Sequence, residues 1–133
     1  MSFIHIIVVI ECPNGDKCST EELVERAISY YNYIEKHSKD TVYILFAGEE
    51  MKEFAVNKGA DPDFILVKNK SRTPSENILF SGKIIQEKFN TEDISAITIC
   101  LAPYMVGMMT ILANHHLKDY NLNFICPKFD YVW

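Results

Sequence analysis

The chain has 133 residues, of which 48% are apolar and 23% charged, with a net charge of -5; these are the proportions of one soluble globular domain and exclude a disordered or fibrous chain. Lys and Arg number 13 against 18 Asp and Glu and form no run, so there is no electrostatic footprint for nucleic acid or for an anionic membrane surface. The longest early apolar run, Phe3 to Ile10, is far shorter than the about 20 residues of a spanning helix and carries neither a basic leader nor a small-residue cleavage pattern. A cytoplasmic protein without a membrane partner is expected.

In chain order, Phe3 to Ile10 reads as a continuously apolar strand ending at Glu11. After the loop "ECPNGDKC", Ser19 is placed as the N-cap of a helix over Thr20 to Lys36, with Glu22 three residues on completing a capping box. Val42 to Ala47 is the second strand. Glu49 to Lys58 is the second helix, with Gly59 at its C-terminal end. Phe64 to Lys68 is the third strand. The polar loop "NKSRTPSEN" then opens a third helix over Pro74 to Phe89, with Thr73 as N-cap, Pro74 in the first turn and Glu76 at the third helical position. Ile94 to Ala102 is the fourth strand, Tyr104 to His116 the fourth helix and Asn123 to Cys126 the fifth strand.

This alternation predicts a three-layer, Rossmann-like α/β fold, with a mostly parallel sheet of about five strands and helices on both faces. Buried apolar strands separated by helices need right-handed crossovers, and in such sheets ligands bind at the carboxyl ends of the strands, where strand order reverses. The loops after the first four strands are therefore the ones that matter.

The third of these loops is the most unusual. Ser71, Arg72, Thr73, Ser75, Glu76 and Asn77 put hydroxyls, a guanidinium, a carboxylate and a carboxamide at one helix N-terminus, where unpaired N–H groups and the helix dipole favour an anion. Capping accounts for Thr73 and Glu76. It does not account for Asn77, a poor interior helix residue, or for Ser71 and Arg72 outside the helix. A cap and a binding site both remain open on these residues alone.

The stretch "S-x-T-x-x-E-N", preceded by "GEEMKEFAVNKGADPDFI" and followed by "ILFSGKII" and "ITICLAPYMVGMM", resembles the YdcF/SanA/ElyC-like domain family. The resemblance runs from about Val42 to Leu117 and, more loosely, back to Ile6, and implies a Rossmann-like fold, membership among envelope-associated or cytosolic bacterial proteins and, in one branch, S-adenosylmethionine binding, without a defined reaction. Carried over by position, it places Glu50, Ser71, Thr73, Glu76, Asn77 and Tyr104 around the family's cleft. Three features depart from the pattern. The loop after the first strand keeps only Gly15 of a glycine-rich turn. The second strand ends Ala47, Gly48, Glu49 in place of paired glycines. Met105 and Met108 stand near the family's His and Arg, which removes its best general acid/base and anion clamp.

Glu11, Asp16, Glu49 and Glu50 lie on neighbouring loops and are candidates for ribose hydroxyls or a hard cation, against a plain reading as solvated loop carboxylates; no metal site is expected. Cys12, Cys18, Cys100 and Cys126 contain no C-x-x-C pair and read as reduced thiols. His5 and His37 read as structural, and His115 and His116 as helix-end residues. Met105, Met108 and Met109 read first as core filling and second as an adaptable cleft wall. The terminal "FDYVW" puts Phe129, Tyr131 and Trp133 on an exposed tail that must pack on the domain or on a second copy, so a homodimer contact is one expectation.

Two functions follow as expectations. The first is a domain binding a small anionic or nucleotide-like ligand, with S-adenosylmethionine as the candidate cofactor, through Glu11, Gly48, Glu50, Ser71, Arg72, Thr73, Glu76, Asn77 and Tyr104. Any chemistry would use Glu11, Glu50 or Glu76 as base. The second is a non-catalytic interaction or scaffold domain that has lost the family site.

Overall fold

The computed structural model describes residues 3–11, 20–68 and 73–127. The elements are β1 (Ile4–Val9), α1 (Thr20–His37), β2 (Thr41–Ala47), α2 (Glu49–Asn57), β3 (Ile65–Lys68), α3 (Pro74–Lys88), β4 (Ile94–Cys100), α4 (Val106–His116) and β5 (Leu122–Ile125), with short 3-10 turns ahead of β3, β4 and α4. The sheet runs in the order β3-β2-β1-β4-β5, and every pairing is parallel. The expected three-layer α/β fold is present. The sheet is wholly rather than mostly parallel, as crossovers by a helix after each of the first four strands require.

Burial explains why the strands lack polar alternation. Ile6, Ile7, Val8, Val9 and Ile10 have no exposed surface, because β1 is the central strand and helices cover both of its sides. The His5 ring packs edge-on against Tyr30 of α1, and Cys100 Sγ reaches the Leu23 carbonyl of α1. The alternate row faces the other layer: Tyr43 of β2 packs on Phe89, the residue that caps α3. Helices α1 and α2 therefore cover one face, and α3 and α4 the other.

Local signals act as their chemistry dictates. Thr73 accepts the Glu76 N–H at 3.1 Å and Pro74 opens α3, while Ser19, expected to cap α1, lies outside the described residues. Gly59 follows α2 with φ 102°, the left-handed conformation in which a side chain is disfavoured. The fourth helix is shorter than its sequence pattern, since Pro103–Met105 form a 3-10 turn before it. Among the described residues no helix is long and apolar enough to cross a membrane.

Candidate functional site

Strand order reverses between β1 and β4, the two strands from which the chain departs in opposite directions. Glu11 follows Ile10 there, and the Ile10 N–H donates to the Cys100 carbonyl at 2.9 Å. Glu11 is half-buried, held at the rim by the last bond of the central pair.

Lys68 closes β3 on the same carboxyl edge and was not singled out by the sequence reading. Its register partner is Ala47, two residues beyond Leu45, which is aligned with Val8. Strand alternation thus sends Lys68 to the same side as Tyr43 and Leu45, beneath α3. Only 2% of its surface is exposed, and among the described residues Lys68 Nζ is the buried side-chain nitrogen or oxygen with no hydrogen-bond partner. Burial lowers its pKa to about 7, while the charge of Glu11 acts in the opposite direction. The Lys68 carbonyl is engaged separately, accepting the Gly48 N–H at 3.1 Å.

An unpaired buried amine is costly in a fold, because an ammonium in apolar surroundings loses its hydration without compensation. On the face to which Lys68 points, the sheet is covered by α3. That helix begins at Pro74 and runs back along the sheet, so its N-terminus shares the carboxyl edge with Lys68. Asn77 is 2% exposed and faces the sheet with Ile78, Ser81 and Ile85. Its carbonyl accepts the Ser81 hydroxyl at 2.7 Å, and its Oδ1 lies at 3.4 Å from the same oxygen. Asn77 is therefore an inward residue of the first turn rather than an outward cap.

The remaining candidates spread over the rim. Gly48, with φ 92°, turns the chain from β2 into α2. Glu50 is solvent-exposed in the first turn of α2, and Glu76 is half-buried in that of α3. Tyr104 is 56% exposed in the turn before α4. Ser71 and Arg72 lie outside the described residues, as do Cys12, Gly15, Asp16, Cys18, Phe129, Tyr131 and Trp133. Thr73, Asn77, Glu11 and Lys68 thus mark one edge of the sheet, with Glu50 and Tyr104 further out. Met105 and Met109 are buried in the core, whereas Met108 is exposed. Cys100 and Cys126 are buried thiols outside any disulfide, and burial pushes the Cys126 thiol up despite the neighbouring Arg26 charge. Among the described residues no three His, Cys, Asp or Glu side chains gather as a metal-holding group.

A different depression, of about 250 Å³, lies at the amino-terminal end of the sheet between α1 and α2, with Tyr31, Glu35, Asp61, Phe64 and Ile65 in its lining. Several of its polar groups are already engaged. Burial and then a hydrogen bond to Glu35 raise the Tyr31 hydroxyl well above its usual range, and Asp61 Oδ1 accepts the Asp63 N–H. The carboxyl edge, with an amine left unsatisfied, makes the stronger demand for a ligand.

A signal for Lys68 was available in the sequence: "ILVK" is an apolar strand closed by a charge, as "FIHIIVVI" is closed by Glu11. Comparison with protein-family models, with curated proteins and with solved structures gave no match.

Proposed function

We propose that this chain is a small-molecule-binding domain whose ligand is anionic or nucleotide-like and occupies the carboxyl edge of the sheet beside β1, β3 and the start of α3. The observation that carries the reading is the buried Lys68 Nζ, without a hydrogen-bond partner among the described residues, on the edge and face where α3 presents its N-terminus. A helix N-terminus is electropositive and leaves N–H groups unpaired. An anion between that terminus and an ammonium would satisfy both, and Glu11 would meet the neutral or hydroxylated part of the ligand. Thr73, Asn77 and Gly48 belong to the same edge, with Ser71, Arg72, Glu50, Glu76 and Tyr104 as the further contacts that the YdcF/SanA/ElyC-like resemblance suggests. That resemblance makes S-adenosylmethionine the first cofactor to test; a cytoplasmic, bacterial setting rests on the same sequence reading.

The test is thermal unfolding with S-adenosylmethionine, nucleotides, nucleotide sugars and inorganic phosphate. A ligand at about 100 times its dissociation constant adds roughly 2.7 kcal/mol. The expected result is a shift with at least one anion that is lost in Lys68→Met and retained in Glu53→Gln, a control on the exposed side of α2. No shift with any of these compounds overturns the proposal.

One observation favours the second reading, a non-catalytic interaction domain. Tyr104, Met108 and Ile111 are exposed at successive helical turns, with Ile111 72% exposed, and apolar residues spaced in this way can form a contact stripe. Self-association would appear as a concentration-dependent mass by light scattering, and Ile111→Glu would abolish it.

A further inference from the structure

We infer that Lys68 is a nucleophile, its Nζ forming a Schiff base with the carbonyl carbon of a small anionic carbonyl compound held at the start of α3. This deepens the proposal of an anion site at the carboxyl edge and rests on it.

Three observations lead there. Lys68 is only 2% exposed, and among the described residues its Nζ is buried without a hydrogen-bond partner, whereas a lysine kept only as a cationic clamp would remain solvated or paired. Its strand row directs it to the side of the sheet covered by α3, so it shares an edge with the electropositive start of that helix, which opposes charge on the amine. Glu11, the acidic group that interacts with it electrostatically, follows β1, which is separated from β3 by the single strand β2. A lysine in apolar surroundings is neutral, and therefore nucleophilic, near pH 7.

The reaction balances without an oxidant or reductant. The Nζ lone pair forms a bond to the carbonyl carbon as the C=O π pair moves to oxygen. The nitrogen then gives up a proton, the oxygen gains two in all and leaves as water, and the C=N bond forms. One proton is taken from solvent overall, and the product is a protonated iminium. That cation then pairs with the ligand's anionic group, a charge pairing that the neutral amine did not have.

The experiment treats the full chain at pH 7.5 with glyoxylate, pyruvate or glycolaldehyde phosphate in the presence of sodium cyanoborohydride, which reduces an iminium to a stable amine. Intact mass and peptide mapping then locate the adduct. The expected result is one adduct per chain at Lys68, formed at least tenfold faster than at the exposed Lys83 and Lys88, and lost in Lys68→Arg, which keeps the charge but not the nucleophile. The carboxylate and phosphate probes separate the two anion classes. Labelling of Lys68 no faster than that of Lys83, or only after urea unfolding, overturns the inference. Inorganic phosphate and lactate, which have no reactive carbonyl, are run in parallel by thermal shift. Stabilisation by either without trapping at Lys68 rejects the Schiff base and retains the anion site, whereas neither stabilisation nor trapping rejects both.

Discussion

His5 Nε2 lies 2.7 Å from Thr98 Oγ1, a buried bond between side chains of the two central strands. The Thr98 hydroxyl donates in turn to Asn123 Oδ1, and Asn123 Nδ2 is 3.4 Å from the Tyr30 hydroxyl. Because Thr98 gives its proton to Asn123, its oxygen accepts from His5, which puts the proton of the neutral ring on Nε2. Four residues from β1, β4, β5 and α1 are thereby joined in one chain of polar contacts. Burial lowers the His5 pKa below 6.5, with Asp40 acting in the opposite direction.

The sign of that shift gives a pH dependence. Below 6.5 the unfolded chain binds a proton at His5 that the folded chain resists, so stability falls as pH drops from 6.5 toward the lowered folded value. Urea unfolding at pH 7 and pH 5 should show the loss, and His5→Gln should reduce it. Thr98→Val leaves Nε2 and Asn123 Oδ1 without their partner and should cost about 1–3 kcal/mol at pH 7.

Lys68 carries the opposite kind of window. With a folded pKa of about 7 against 10.5, the unfolded chain holds the extra proton between these values, so its contribution to stability rises with pH across that range. Lys68→Met removes the buried amine and should stabilise the protein at pH 6 by more than about 1.4 kcal/mol, the worth of one pKa unit. Chemical denaturation of both chains at pH 6 and pH 9 checks this; a less stable Lys68→Met protein at pH 6 would contradict the account of an unpaired amine.

Thr73→Ala should lower stability by about 1 kcal/mol through loss of the bond from Glu76 N–H. Thr73→Ser keeps an acceptor and should recover most of it. If Thr73 also touches ligand, Thr73→Ala will weaken binding by more than Thr73→Ser, a difference that titration calorimetry reads directly.

Gly59→Ala isolates backbone strain. A Cβ at Gly59 would meet no atom within 4 Å, yet φ is 102° there, so the expected cost, about 1 kcal/mol or more, comes from conformation and not from crowding. Unchanged thermal stability would show that the turn after α2 relaxes freely.

The resemblance between neighbouring segments and known patterns was legible at Thr73, Pro74 and Gly59, because a cap, a first-turn proline and a left-handed C-terminal residue act over a few positions of chain. Glu50 and Tyr104 were legible as members of motifs, but their solvent exposure was not, since it depends on what packs around α2 and the turn before α4. Asn77 was noticed as an oddity in a helix; that it turns inward and receives Ser81 follows from which side of α3 meets the sheet.

By itself the sequence determined the order of strands and helices, the parallel α/β class and the edge on which a ligand would be sought, because apolar runs, caps and turns are local and each strand separated by a helix must return parallel. Only the tertiary structure decided that β1 lies at the centre between β2 and β4, that Lys68 and α3 share one side of the sheet, and that His5 meets Thr98 and Tyr30. Those relations join residues far apart in the chain, and they depend on strand order and register, which set the partner of every side chain and are written in no single stretch of sequence.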